Sequence, residues 1–97
     1  MVNYVQLVSF TDQGIRNVKD TVKRAEAFKE MAKAQGCTVK EIFWTQGAYD
    51  LVTVVEAPDE TTALALNISI CKAGNIRTQT LRAFSQAEIS KVLAKVS

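Results

Sequence analysis

The feature that most limits the possible folds is a pair of extended segments in the middle of the chain, separated by a short glycine turn. Residues 38–46, TVKEIFWTQ, and residues 49–56, YDLVTVVE, are rich in β-branched and aromatic residues, which favour strands. Because only Gly47 and Ala48 lie between them, the two segments predict a β-hairpin.

The length of the hairpin loop decides which side chains share a face. A two-residue loop places Trp44 opposite Leu51 and Gln46 opposite Tyr49. The first face then holds Ile42, Trp44, Tyr49, Leu51 and Thr53, and the second holds Phe43, Thr45, Asp50, Val52 and Val54. Because side chains alternate with a period of two, an error of one residue in the loop would exchange the two faces.

The segment before the hairpin predicts a strand followed by a helix. Residues 4–10, YVQLVSF, suit a strand, and the polar residues 11–20, TDQGIRNVKD, suit a loop or an irregular turn. A helix is expected from about Asp20, as N-cap, to Gly36. Its apolar residues recur at spacings of three and four and form one stripe: Val18, Val22, Ala25, Phe28, Met31 and Ala32.

The segment after the hairpin predicts a second helix, a fourth strand and a third helix. Residues 63–71, ALALNISIC, alternate as a strand could, but Asp59 as a cap and Gly74 as a stop favour a helix. Residues 75–84 suit a strand, and residues 85–88, SQAE, form a capping box. The C-terminal helix then has an amphipathic stripe of Ile89, Val92, Leu93 and Val96.

The order of these elements, βαββαβ with a C-terminal helix, predicts an α+β fold. It is the ferredoxin-like plan, in which two helices cover one face of a four-stranded antiparallel sheet. A chain of 97 residues suits a single domain spanning residues 1–97.

Both faces of the predicted strands are apolar, which a solvated sheet face would not be. Seven of the nine residues at 63–71 are apolar as well, so we expect that helix to be covered on more than one side. The simplest cover for the second sheet face is another copy of the chain, packed sheet against sheet. The sequence therefore predicts a homo-oligomer, at least a dimer.

Charge and composition exclude several classes of function. The net charge of +2 is too small for a typical nucleic-acid binder, and Gln46 and Ala48 stand where an RNA-recognition strand needs a basic and an aromatic residue. No apolar run is long enough for a membrane span, and no signal peptide is recognisable, so a cytoplasmic location is expected. Without histidine, no imidazole chemistry is available, and we expect neither a metal nor a cofactor.

Five residues are candidates for a ligand site between the packed sheets. Trp44 and Tyr49 are aromatic residues with polar tips that could line it, and Arg77 or Arg82 could reach a carboxylate, carbonyl or phosphate of a ligand. The alternative is that the rings serve packing and the arginines pair with nearby carboxylates. Asp50 suits a turn in which its carboxylate accepts backbone N–H groups, and Tyr49 and Asp50 are weak candidates for catalysis.

The two cysteines, Cys37 and Cys71, are too far apart in sequence for a CxxC motif. A pair of this kind in an unexported chain is expected to be reduced and structural.

At the hairpin, the segment Gly47-Ala48-Tyr49-Asp50, preceded by IFWTQ and followed by LVTVVEAPD, resembles the signature of the GYD domain family. Alanine here separates the glycine from the tyrosine. The likeness extends through YVQLVSFTDQGIRNVKD, KRAEAFKEMA and NIRTQTLRAF. The resemblance implies a small bacterial or archaeal protein with a ferredoxin-like subunit related to the dimeric α/β barrel group, whose sheets pack face to face. It implies no particular activity.

Three functions are compatible with these features. The first is a homo-oligomeric module that binds a small ligand or has a regulatory role. The second is a cofactor-independent oxygenase or isomerase of the dimeric α/β barrel type, acting on a small organic substrate. The third is a structural subunit that binds other proteins.

Overall fold

A computed structural model describes all 97 residues as one sheet with helices packed on it. The elements are β1 (Val2–Phe10), α1 (Asp12–Arg16), a 3₁₀ turn (Val18–Asp20), α2 (Thr21–Ala34), β2 (Thr38–Trp44), β3 (Leu51–Ala57), α3 (Glu60–Cys71), β4 (Ile76–Ala83) and α4 (Gln86–Leu93). The four strands pair antiparallel in the order β2-β3-β1-β4. The predicted α+β, ferredoxin-like plan is confirmed.

The hairpin between β2 and β3 has the predicted register but a longer loop. Trp44 lies opposite Leu51, as expected. The strands stop there, so the predicted pair of Gln46 and Tyr49 is wrong. The Thr45 hydroxyl donates to the Tyr49 carbonyl at 2.6 Å, and Gly47 adopts a φ of 106° that other residues rarely reach. These features close a loop of residues 45–50.

The polar segment after β1, which was expected to be a loop or an irregular turn, contains a short helix, α1, and a 3₁₀ turn. Thr11 caps α1 by accepting the Gly14 N–H at 3.1 Å. Asp20 precedes α2 as predicted, but its side chain makes no capping hydrogen bond. The reason is local geometry: the 3₁₀ turn runs directly into α2, so Asp20 lacks the extended backbone that a side-chain cap needs.

The core lies between one face of the sheet and the helices α2 and α3. Every second residue of β3 is buried, from Leu51 to Ala57. Leu66 of α3 is only 2% exposed and belongs to a cluster with Ala32, Cys37, Val55 and Ala57. Both cysteines are free. Burial raises the pKa of the Cys37 thiol, which keeps it neutral.

Helix α3 forms where it was predicted. Asp59 caps it by accepting the Thr62 N–H at 2.7 Å. The expectation that α3 is covered on more than one side is wrong within a single chain, because Leu64 and Ile68 are 59% and 57% exposed. No helix is long and apolar enough to cross a bilayer.

Helix α4 begins with the predicted capping box. The Ser85 hydroxyl accepts the Glu88 N–H, and the Glu88 carboxylate accepts the Ser85 N–H at 3.0 Å. The same carboxylate pairs with Arg82 at 3.1 Å. The predicted apolar stripe is exposed along its length. Ile89, Val92 and Leu93 lie on α4 and form the α4 stripe, whereas Val96 lies beyond the end of the helix.

These bonds make the start of α4 sensitive to acid. The Ser85 N–H and then the Arg82 guanidinium lower the pKa of Glu88 from 4.5 to about 2. The stabilisation is therefore complete above pH 4.5 and is lost as the pH falls through about 2. NMR signals of the first turn of α4 should move in that window. In Glu88→Gln, which has no proton to gain, the same signals should stay fixed.

Candidate functional site

The sheet has one face without helices, which we call the open face. It is defined by the strand register and alternation, since the opposite positions are buried under α2 and α3. Its members are Asn3, Val5, Leu7, Ser9, Thr38, Glu41, Phe43, Val52, Val54, Glu56, Arg77, Gln79, Leu81 and Ala83.

The centre of the open face is apolar, and its charged residues lie on or near its margins. Phe43 on β2 is 59% exposed and Leu81 on β4 is 42% exposed. Between them, the two middle strands present valine and leucine side chains that are half-buried. Arg77 lies on one edge strand and Glu41 on the other. This is the apolar second face that the sequence predicted.

Tyr49 belongs to the open face, although the predicted partition placed it on the opposite side with Trp44. Its hydroxyl donates to Gln79 Oε1 at 2.8 Å, and Gln79 pairs with Leu7 on that face. The partition holds for the strand residues but fails here, because Tyr49 lies in the loop and strand alternation does not apply to it. Arg77, two residues before Gln79, shares the open face.

Trp44 and Asp50 hold the two ends of the hairpin loop. The Trp44 indole N–H donates to the Thr21 hydroxyl at 3.0 Å, which ties β2 to the start of α2. The Asp50 carboxylate accepts the Phe10 N–H at 2.8 Å, and the Asp50 N–H donates to the Val8 carbonyl at 2.8 Å. Asp50 therefore binds backbone donors as predicted, but those of β1 and not of its own turn.

Arg82 lies on the helix side of the sheet, opposite Tyr4. It pairs with Glu88 and stacks 4.3 Å from the centre of the Phe84 ring. The five candidate residues thus occupy three places: Tyr49 and Arg77 on the open face, Trp44 and Arg82 on the helix side, and Asp50 at the end of β1. They do not form one pocket.

Residues that the sequence reasoning missed surround a cleft between α2 and α3. The cleft has a volume of about 190 Å³. Its walls are mainly apolar, and its floor includes three polar residues from adjacent strands, Gln6, Thr53 and Thr78. The one sequence feature that could have indicated the cleft is Gln6, a polar residue on the helix-facing side of an otherwise apolar central strand.

The polar residues of the cleft floor form a hydrogen-bonded chain. The Thr53 hydroxyl donates to Gln6 Oε1 at 2.9 Å, and Gln6 Nε2 donates to Asn67 Oδ1 at 3.2 Å. Thr78 donates to the same Asn67 oxygen at 2.7 Å. Gln6 and Thr53 are 7% and 4% exposed, whereas Asn67 and Thr78 are half-buried, so this hydrogen-bonded chain begins inside the protein and ends nearer its surface.

Comparison with known proteins gives a family and a fold. The chain matches the GYD domain over residues 4–93. It is 30% identical over 90 residues to a Thermus thermophilus protein named "Glutamine synthetase and cystathionine beta-lyase binding protein", with 92% of this chain and 95% of that protein covered.

Two crystal structures resemble the chain. One is TTHA0845 from Thermus thermophilus, with a TM-score of 0.57 and 24% identity over 88% of this chain and 95% of that one. The other is FFRP-DM1, with a TM-score of 0.58 and 26% identity over 87% of this chain and 100% of that one. The likeness to the first concerns the fold alone.

Proposed function

The chain belongs to the GYD domain family, and from this premise we propose that it is a homo-oligomeric module that regulates another protein by binding it. One observation carries the homo-oligomeric part of the proposal: the open face is apolar at its centre, and no element of the chain covers it. We propose that a second copy covers it.

The energetics favour such a pairing. Covering roughly 500 Å² of apolar surface on each copy, at about 25 cal/mol per Å², contributes on the order of 10 kcal/mol per copy before the costs of association. The pair then buries roughly 1,000 Å², about the lower limit for a specific interface. The net charge of +2 on each copy opposes association only weakly.

The distribution of charge on the open face suits a symmetric pair. Arg77 lies on β4 and Glu41 on β2, the two edge strands of the sheet. A two-fold axis parallel to the strands places β4 of one copy over β2 of the other. That arrangement aligns the apolar centres and leaves the charges at the margins of the interface, with Arg77 level with Ser9 and Glu41 level with Val5 along the strands.

The stripe of α4 is the surface that we propose for the regulated protein. An eight-residue helix has little stability by itself, yet its apolar residues Val92 and Leu93 are 42% and 61% exposed. The relative from Thermus thermophilus is named for binding two enzymes. We propose that this chain also binds an enzyme of amino-acid metabolism, with the α4 stripe as the contact.

Calorimetric titration tests this role, using glutamine synthetase and cystathionine β-lyase from the organism that produces this chain. We expect Leu93→Asp to weaken the binding to the recognised enzyme by at least about tenfold, because burying a leucine contributes about 1.5–3 kcal/mol. Ala87→Asp adds the same charge on the opposite side of α4 and should leave binding unchanged. Equal losses in both variants, or no binding by the unmodified chain, would contradict the proposal.

A further inference from the structure

We infer that the cleft between α2 and α3 binds a small uncharged molecule that is mostly apolar and carries one hydrogen-bonding group, such as a phenol or an aromatic carboxamide. This site lies on the helix side of the sheet, opposite the open face. It therefore does not depend on the proposed self-association.

The size and walls of the cleft suit such a molecule. Its volume is about 190 Å³, and an apolar cavity of about 150 Å³ is sufficient to bind benzene. The walls come from both helices and from the sheet, and their apolar members include Val8, Ala25, Phe28, Met31, Ile70 and Ile76. A single aromatic ring would fill this space and leave its substituent directed at the floor.

The floor has hydrogen-bonding capacity beyond what the chain itself uses. Thr53 donates its hydroxyl proton to Gln6, but its oxygen still has lone pairs that can accept. Gln6 uses one N–H of its amide on Asn67 and has a second N–H to give. A ligand hydroxyl or carboxamide can both donate and accept, so it is matched to this pair.

The charges around the cleft favour an uncharged ligand. Arg24 is the sole charged residue of its lining. Its guanidinium donates to the carbonyls of Asn17 at 2.8 Å and Gly14 at 3.3 Å, which hold it at α1. A ligand carboxylate on the floor would meet only neutral groups, and burying an unpaired charge is costly.

NMR titration of the whole protein with phenol and with benzamide tests the site, with benzoate as the charged comparator. Each is added to about 10 mM, above the millimolar Kd that a ligand of this size reaches. We expect phenol and benzamide to cause saturable chemical-shift changes at cleft residues such as Ala25 and Ile70. The affinity for benzoate should be at least about tenfold lower than the affinity for either. An absence of saturable shifts, shifts confined to the open face, or equal affinity for benzoate would overturn the inference.

Variants that fill the cleft make the test specific. Ala25→Leu should lower the affinity for phenol by at least tenfold, whereas Ala34→Leu, on the same helix outside the cleft, should not change it. If Ala25→Leu does not fold, Ala73→Leu at an exposed position of the lining replaces it. Thr53→Val should weaken benzamide binding, with Thr80→Val outside the cleft as its control. Undiminished binding in the filled variant and in Thr53→Val would overturn the inference.

Discussion

Phe43→Glu is expected to convert the protein from a dimer to a monomer. Phe43 is 59% exposed in the single chain, so the substitution leaves the subunit core intact. In the proposed pair it would bury an unpaired carboxylate, which costs about 3 kcal/mol or more and weakens association at least about 100-fold. Size-exclusion chromatography with light scattering should give twice the 10.7 kDa chain mass for the unmodified protein and 10.7 kDa for the variant.

Leu64→Glu is the matched control for that experiment. Leu64 is also 59% exposed but lies on α3, on the opposite side of the sheet. The Leu64→Glu variant should remain dimeric. Loss of the dimer in both variants, or in neither, would assign the interface to another surface.

Gly14→Ala is expected to destabilise the fold, although alanine is the better residue for a helix. By propensity alone the change should add about 1 kcal/mol of stability. The new Cβ would lie 1.9 Å from the backbone oxygen of Asn75, where the backbone has little freedom to yield. Overpacking of this kind costs about 1–3 kcal/mol or more, so the net effect should be a loss.

Denaturant unfolding at one fixed protein concentration measures this effect, since the proposed dimerisation would make stability depend on concentration. Arg16→Ala, an exposed change in the same helix, should stay within about 0.5 kcal/mol of the unmodified protein. A Gly14→Ala variant as stable as the unmodified protein would show that α1 does not pack against Asn75 as described.

The elements that the sequence predicted correctly are those with local signals. Trp44 pairs with Leu51 because alternation and loop position specify register. The caps at Asp59 and Ser85 form because each lies just before an apolar helix. Asp20 also precedes a helix, but a 3₁₀ turn before it changes its backbone. The cap residue alone does not specify the backbone conformation of the turn before it.

The site was harder to predict than the fold, because its residues are assembled from separate segments. Tyr49, in the hairpin loop, donates a hydrogen bond to Gln79, which lies 30 residues later in the chain. Strand alternation gives no direction for a residue in a loop. The cleft floor combines Gln6, Thr53 and Thr78 from three strands. In the sequence, each of them looks like an ordinary polar strand residue. Only the strand order brings them together.

The two sides of the sheet thus have separate proposed roles. We propose that the open face joins copies of the chain and that the cleft on the helix side binds a small molecule. The α4 stripe extends from the end of β4, where Arg82 connects the sheet to the capping box through Glu88. A ligand in the cleft, the second copy and a bound enzyme would therefore each contact a different surface.

Hydroxyl-radical footprinting of the unmodified protein tests the central claim most directly. Phe43 on the open face and Phe84 after β4 are the same residue type and are 59% and 50% exposed in the single chain. If copies pair through their open faces, Phe43 should be oxidised much more slowly than Phe84 at micromolar concentration. Oxidation of Phe43 at a rate equal to or above that of Phe84 would contradict the account.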